Sequence, residues 1–152
     1  MELLYFHNHD EVIAAAIRFM EERGQCRSQA FASPGDSKTY VQLRIGDREH
    51  EVFCVLFLNS KHKLLAADEM FRGTIDGASV YPREIVKRAL SLNAAAAILG
   101  HNHPSGDVQP SEADKKITNR IKEVLALVDI RVLDHMIVAA SDAFSFAEHG
   151  LI

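Results

Sequence analysis

A short uncharged run that ends in two histidines constrains the fold of this chain most strongly. Residues 93–100 (NAAAAILG) carry no charge and are bounded by turn-forming residues, which is typical of a strand buried on both faces. His101 and His103 follow, and Pro104 and Gly106 are expected to end the strand. If the strand continues to His103, both imidazoles point to the same side of the sheet, because side chains alternate along a strand. Open α/β sheets place their binding sites at this end of their strands.

A carboxylate follows at the start of a predicted helix. Pro110 and Ser111 open this helix, and Asp114 falls in its first turn. The strand and the helix together offer two imidazole nitrogens, from His101 and His103, and one carboxylate oxygen. Three nitrogen or oxygen ligands with a fourth position left for water is the composition of a catalytic zinc site. The pattern therefore predicts that His101, His103 and Asp114 bind Zn²⁺.

The helix start also has a purely structural interpretation. Ser111 and Asp114 have the spacing of a capping box, in which the serine and the carboxylate bond each other's backbone N–H. Ser33 and Asp36 repeat that spacing, and there we expect a cap alone. The two roles are compatible, because a serine hydroxyl that accepts a backbone N–H still has its own proton to donate. Both interpretations of Ser111 and Asp114 stay open at this point.

The rest of the chain alternates helical and strand patterns without repeats or linkers, which predicts an α/β fold with a mixed sheet. Asp10 is expected to cap the N-terminus of the helix 10–23, and Gly24 is expected to end it. Leu90 is expected on the inner face of the helix that begins at residue 82. Helices are predicted over 10–23, 33–46, from 82 onward and 112–128, and strands over 52–58, 63–71, 93–103, 130–138 and 144–146.

Length and composition narrow the class of protein. A chain of 152 residues is expected to form one domain with a sizeable core. The formal net charge of −4 argues against a surface built mainly to bind phosphates. Cys26 and Cys54 are too few for a disulfide framework, and Cys54 lies in an apolar run as a small core residue. No signal peptide or membrane-spanning segment is recognised, so a cytoplasmic setting is expected.

Several separated motifs resemble one family. His101-x-His103-Pro104 followed by Ser111-x-x-Asp114 looks like the JAMM motif of MPN-domain zinc peptidases. The surrounding sequence is closer still to the RadC-like JAB/JAMM branch of that family. The patches that resemble it in order and spacing are 81–84 (YPRE), 94–97 (AAAA), 101–106 (HNHPSG), 110–111 (PS), 133–135 (LDH) and 145–148 (SFAE).

The resemblance covers roughly residues 30–152 and leaves 1–29 as an N-terminal helical lead. It implies a single-domain, MPN-like mixed β-sheet flanked by helices, similar to that of cytidine deaminases. One departure from the eukaryotic JAMM form is Asn102, which stands where serine or threonine is usual; RadC-like chains share this asparagine.

The activity that the resemblance implies is zinc-dependent hydrolysis of an amide bond in a peptide or isopeptide. In JAMM proteins a glutamate from an upstream strand is the base, and Glu51, directly before the apolar run 52–58, matches it better than Glu49. Ser111 is then expected to donate to the oxyanion. Asp134 and His135 match the family as well, and we expect them to serve the structure or to support the metal ligands.

Two other classes of function stay open. The name RadC indicates a link to DNA repair, but the helix-hairpin-helix region common in full-length RadC-like proteins is not found in this sequence, and the net charge is negative. A non-catalytic, metal-stabilised binding module is the second class; Glu51 argues against it, because a scaffold needs no base. A cytidine deaminase would need His-x-Glu and Pro-Cys-x-x-Cys, and neither occurs.

Overall fold

The sheet that organises the chain is mixed and has five strands. A computed structural model describes residues 3–27, 31, 33–73 and 79–152. The strands are β1 (Val52–Leu58), β2 (Leu64–Arg72), β3 (Ala96–Asn102), β4 (Arg131–Val138) and β5 (Ala143–Ser145). The described residues also form four helices: α1 (His9–Cys26), α2 (Pro34–Ile45), α3 (Pro82–Ser91) and α4 (Glu112–Ala126).

The strand order β2–β1–β3–β4–β5 places β3 at the centre. β1 pairs antiparallel with both β2 and β3, whereas β3 and β4 run parallel and are connected through α4. A parallel pair requires such a crossover, because the chain must return to the same end of the sheet. The predicted α/β class with a mixed sheet is confirmed.

Each face of the sheet carries its own layer of helices. All seven residues of β1 and all seven of β3 are buried, as expected for strands covered on both sides. On one face Tyr40, Val41 and Ile45 of α2 join the core, with Ile17 of α1 packed against them. On the other face the inner sides of α3 and α4 complete the core. Both faces are therefore sealed around β3.

α2 approaches β3 closely because Gly100 has no side chain. A Cβ atom added to Gly100 would lie 2.8 Å from Cγ1 of Val41 and 3.0 Å from Sγ of Cys54. Cys54 is buried, as predicted. Burial also raises the pKa of its thiol to about 12, so Cys54 remains a neutral core residue. The contact fixes the backbone of β3 directly before His101.

The structure corrects the predicted ends of α1. The N-cap is Asn8, whose side chain accepts the backbone N–H of Glu11 at 3.0 Å; Asp10 lies inside the first turn. Gly24 does not end the helix, which continues to Cys26. It is instead a packing position, because a Cβ atom there would lie 2.3 Å from the ring of Phe31.

Two further local predictions differ from the structure. Ser33 stands at the N-cap of α2, but its side chain makes no capping hydrogen bond; Pro34, which has no N–H and a suitable φ, begins the helix. Leu90 is 56% exposed, because the buried residues of α3 are Pro82, Ile85 and Ala89. Among the described residues, none of the helices has the length and apolar content needed to cross a membrane.

Candidate metal centre

The two predicted histidine ligands lie at the end of the central strand. β3 ends at Asn102, yet the backbone stays paired for one more residue, since the N–H of His103 donates to the carbonyl of Val138 at 2.9 Å. His101 and His103 therefore keep the alternation of the strand and point the same way, with their Nε2 atoms 3.0 Å apart. His101 is 1% exposed, and His103 is half-buried.

α4 brings a carboxylate to the same place. Its first turn contains Asp114, whose Oδ1 lies 3.2 Å from Nε2 of His101 and whose Oδ2 lies 3.4 Å from Nε2 of His103. The capping box is present as well: Ser111 Oγ accepts the N–H of Asp114 at 3.1 Å, and Oδ2 accepts the N–H of Ser111 at 2.7 Å. The carboxylate thus has a capping role and still faces both imidazoles.

The arrangement fits a zinc ion chemically and in size. Zinc bonds of about 2.0–2.1 Å in a tetrahedron place neighbouring ligand atoms about 3.3 Å apart. The two Nε2 atoms are 3.0 Å apart, and Oδ1 and Oδ2 of Asp114 lie 3.2 and 3.4 Å from Nε2 of His101 and of His103, respectively. With one ligand atom taken from each residue, the atoms of His101, His103 and Asp114 lie within 4.8 Å of one another. Two nitrogens that face each other at 3.0 Å need either a hydrogen or a metal ion between them.

His103 is held in the tautomer that a metal requires. Its Nδ1 lies 2.7 Å from the backbone carbonyl oxygen of Asp107, which can only accept, so Nδ1 carries the hydrogen. Nε2, which faces His101 and Asp114, is then the atom with a free lone pair in the neutral ring. A backbone carbonyl behind a ligating imidazole is a common way to orient it.

Charge complementarity shifts the pKa values at this centre. The hydrogen bond with Asp114 is the largest cause of a raised pKa at His103, and the charge of Glu51 adds to it. For Asp114, burial would raise the pKa, but hydrogen bonds from His101 and His103 outweigh it and hold the pKa well below its usual range. The carboxylate is therefore ionised at neutral pH and can act as an anionic ligand.

Behind His101 lies a second, fully buried histidine. Nε2 of His135 in β4 lies 2.7 Å from Nδ1 of His101, and Nδ1 of His135 lies 2.6 Å from Oγ1 of Thr118 in α4. The rings of Phe53 and Phe146 enclose His135 at centroid distances of 5.5 and 4.8 Å. Burial lowers the pKa of His135 well below its ordinary value, so this ring is neutral.

Asp134, the neighbour of His135, has a structural position. Its Oδ1 accepts the N–H groups of His135 and Ala147, at 2.7 and 2.9 Å, and its Oδ2 accepts the hydroxyl of Ser145 at 2.6 Å. The carboxylate thus anchors the turn after β5 to β4. His135 therefore contacts the proposed ligand His101, whereas Asp134 fixes the backbone of His135 and of the turn after β5.

Glu51 is placed opposite the second histidine by the register of β1. Phe53 pairs with His101, so two residues earlier the antiparallel alignment brings Glu51 level with His103. Its carbonyl accepts the N–H of Gly73 at 2.8 Å. The charge of Glu51 acts on His103, whereas the alternative base, Glu49, is exposed. The structure thus brings Glu51 to the centre; its role as base remains a prediction.

The sequence prediction missed the function of Asn102. Its buried side chain accepts the backbone N–H of Val52 at 2.7 Å and donates to the carbonyl oxygens of His50 and Arg48 at 3.0 and 3.2 Å. These bonds tie the segment around Glu51 to the end of β3. The asparagine between two predicted ligands was the available signal, because a fully buried amide needs several partners.

Comparison with known proteins gives a consistent family assignment. The sequence model described as RadC-like JAB domain matches residues 31–151. A UPF0758 protein of Methylibium petroleiphilum is 59% identical over 126 residues, which are 83% of this chain and 57% of the relative. A UPF0758 protein of Variovorax paradoxus is 52% identical over 93% of this chain and 62% of the relative. A UPF0758 protein of Vibrio cholerae is 51% identical over 91% of this chain and 87% of the relative. The chain thus spans little more than half of the first two relatives.

Proposed function

Because this chain belongs to the RadC-like JAB domain family, we propose that it is a zinc-dependent hydrolase of peptide or isopeptide amide bonds. The observation that carries the proposal is the convergence of His101, His103 and Asp114 at the end of the central strand, with Glu51 level with His103. We expect it to act in the cytoplasm. A polypeptide substrate is part of the same proposal.

His101, His103 and Asp114 would hold Zn²⁺, which when bound acts as a Lewis acid toward the substrate carbonyl and lowers the pKa of a water molecule to about 7. Two neutral imidazoles and one carboxylate suit this ion and leave a fourth position open. The proposed ligands lie on or next to β3 and α4. These elements support a fixed geometry, because neither can shift without disturbing the core.

The side chains of the chain itself would carry the proton transfers. Glu51 takes a proton from the attacking water and returns it to the leaving amine as the C–N bond breaks. Ser111 donates its hydroxyl hydrogen to the carbonyl oxygen as negative charge develops there. Its Oγ already accepts the N–H of Asp114, which leaves the hydroxyl hydrogen available to donate to the substrate.

The test of the proposal is a hydrolysis screen over peptide and isopeptide libraries with zinc-loaded protein. The wild type should cleave at least one amide, and Glu51→Gln, which keeps the size of the side chain, should be slower by about 10²–10⁴-fold, the usual worth of general acid–base catalysis. Glu49→Gln is the matched control and should remain close to wild type. Equal cleavage by the wild type and Glu51→Gln would contradict the assigned base.

A further inference from the structure

A chain of hydrogen bonds connects the backbone of one proposed metal ligand to the ring of another. Oγ1 of Thr118 lies 2.6 Å from the backbone oxygen of Asp114, one turn earlier in α4. The same Oγ1 lies 2.6 Å from Nδ1 of His135, and Nε2 of His135 lies 2.7 Å from Nδ1 of His101. All the side chains that form these links are buried, and the links tie α4, β4 and β3 together.

The direction of each bond follows from its donors and acceptors. The backbone oxygen of Asp114 can only accept, so the single hydroxyl hydrogen of Thr118 is used there. The reverse arrangement would leave two oxygen atoms 2.6 Å apart without a hydrogen between them. Thr118 Oγ1 therefore accepts from His135, and Nδ1 of His135 carries a hydrogen.

The hydrogen positions on His101 follow from those on His135. A neutral imidazole carries one N–H, so Nε2 of His135 has a lone pair and accepts from Nδ1 of His101. The hydrogen on Nδ1 of His101 leaves its Nε2 with the lone pair, and that atom faces His103 and Asp114. The wrong tautomer of His101 would direct an N–H into the centre and block metal binding.

We propose that Thr118 and His135 are positioning residues that fix the tautomer of His101 and thereby make its Nε2 available to the metal. The consequence for zinc rests on the proposed function, whereas the tautomer itself does not. Packing supports the assignment, because the ring of His135 lies between Phe53 and Phe146 and the ring of His101 stacks on Phe53 at 6.0 Å. With the rings in this orientation Nε2 of His101 faces the centre, and the position of the hydrogen decides whether that atom offers a lone pair.

The first test measures the tautomer directly. Long-range ¹H–¹⁵N correlation spectra of the metal-free protein at alkaline pH, where imidazoles are neutral, should show His101 with its hydrogen on Nδ1. Thr118→Val removes the acceptor for His135, frees His135 to carry its hydrogen on Nε2, and should shift His101 toward the Nε2–H form. Thr118→Ser keeps the hydroxyl and should retain the wild-type tautomer.

The second test measures affinity for zinc alone, by competition with a chromophoric chelator. Thr118→Val and His135→Leu should weaken binding by about 10–100-fold, the usual effect of removing a group that orients a metal ligand. His135→Gln, whose amide oxygen can still accept from Nδ1 of His101, should recover part of the affinity, and Thr118→Ser most of it.

The two tests separate this inference from the proposed function. Wild-type protein that binds no zinc but holds His101 as the Nδ1–H form would overturn the proposed function and support the inference. Wild-type protein with the hydrogen on Nε2 of His101, or an unchanged tautomer in Thr118→Val, would overturn the inference whatever the zinc affinity.

Discussion

The side-chain oxygen of Asn102 accepts the backbone N–H of Val52 at 2.7 Å, and this bond joins the end of the central strand to the residue after Glu51. Asn102 is fully buried and also donates to the carbonyls of Arg48 and His50. It lies between His101 and His103 but faces the other side of the strand. One residue of β3 thus positions the predicted base while its two neighbours face the metal centre.

Substitution of Asn102 should therefore affect both stability and catalysis. Asn102→Ala leaves one buried and two partly buried backbone groups without their partner. It should lower the free energy of unfolding by about 2 kcal/mol, since each unsatisfied buried group costs about 1–3 kcal/mol. Asn102→Asp retains the acceptor for Val52 but turns an oxygen toward two carbonyl oxygens, so it should destabilise as well. Urea unfolding measures both variants, and a loss below about 0.5 kcal/mol in each would contradict the role assigned to the amide.

Ser111 has a cap role and a proposed catalytic role that two substitutions can separate. Ser111→Ala loses the hydrogen bond from the N–H of Asp114, which should cost about 1 kcal/mol of stability. It also loses the hydroxyl group proposed to donate to the carbonyl oxygen. Ser111→Asp keeps a good cap but places a carboxylate where negative charge develops, so its stability should stay near wild type while hydrolysis falls. Thermal unfolding and amide hydrolysis are measured on both. Activity that merely follows stability would leave Ser111 as a cap alone.

The ion pair between His103 and Asp114 predicts how the metal-free protein responds to pH. The pKa of Asp114 is lowered in the folded state, so its contribution to stability is present above the unfolded value of about 3.9 and is lost as the pH falls toward the folded value. The pKa of His103 is raised, so its contribution is present below the unfolded value of about 6.5 and is lost as the pH rises through the folded value. The stabilising effect is therefore largest between about pH 4 and 6.5.

Thermal unfolding of chelator-treated protein across pH measures this effect. Asp114→Asn should flatten the profile on both sides, because it removes the titrating carboxylate and the largest cause of the raised pKa of His103. Stabilisation by added zinc should instead grow as the pH rises through the pKa of His103, since the metal must displace a proton there. Identical pH profiles for wild type and Asp114→Asn would contradict the pairing.

The close approach of α2 to β3 gives a prediction about packing. Gly100→Ala places a methyl group against Val41 and Cys54 and should cost about 1–3 kcal/mol, as overpacked cores do. Val41→Ala removes the obstructing methyl groups. The double variant should therefore lose less stability than the sum of the losses in the two single variants. Denaturant unfolding of the two single variants and the double variant tests this. Strict additivity would show that Gly100 and Val41 are not in the tight contact described.

The sequence predicted those parts of the fold that depend on local patterns. The apolar run 52–58 became β1 with the predicted bounds, because a strand buried on both faces leaves no polar residue to alternate. The pair His101 and His103 came to lie on one side for a similar reason, the two-residue period of a strand. The ends of α1 were less well predicted, since Asn8 and Asp10 are both good capping residues and only the tertiary path of the chain selects between them.

The sequence singled out His135 but not its contact with His101, because that contact depends on elements distant in the chain. His135 reaches His101 only because β4 lies parallel to β3 in a register that pairs Leu99 with His135, and a sequence pattern does not specify strand register across 34 residues. Thr118 has the appearance of an ordinary helix residue. Its role arises because α4 crosses over this part of the sheet.

The zinc content of the purified protein decides whether His101, His103 and Asp114 form a metal centre. Wild type and Glu51→Gln should each carry about one zinc ion per chain, because Glu51 is proposed as base and not as ligand, whereas His103→Ala and Asp114→Asn should each lose most of it. Elemental analysis of the four proteins after identical purification gives the answer without a substrate. If His103→Ala contains as much zinc as wild type, the proposed ligand set is wrong. If Glu51→Gln loses zinc as completely as Asp114→Asn, Glu51 is a ligand and the proposed open site is wrong.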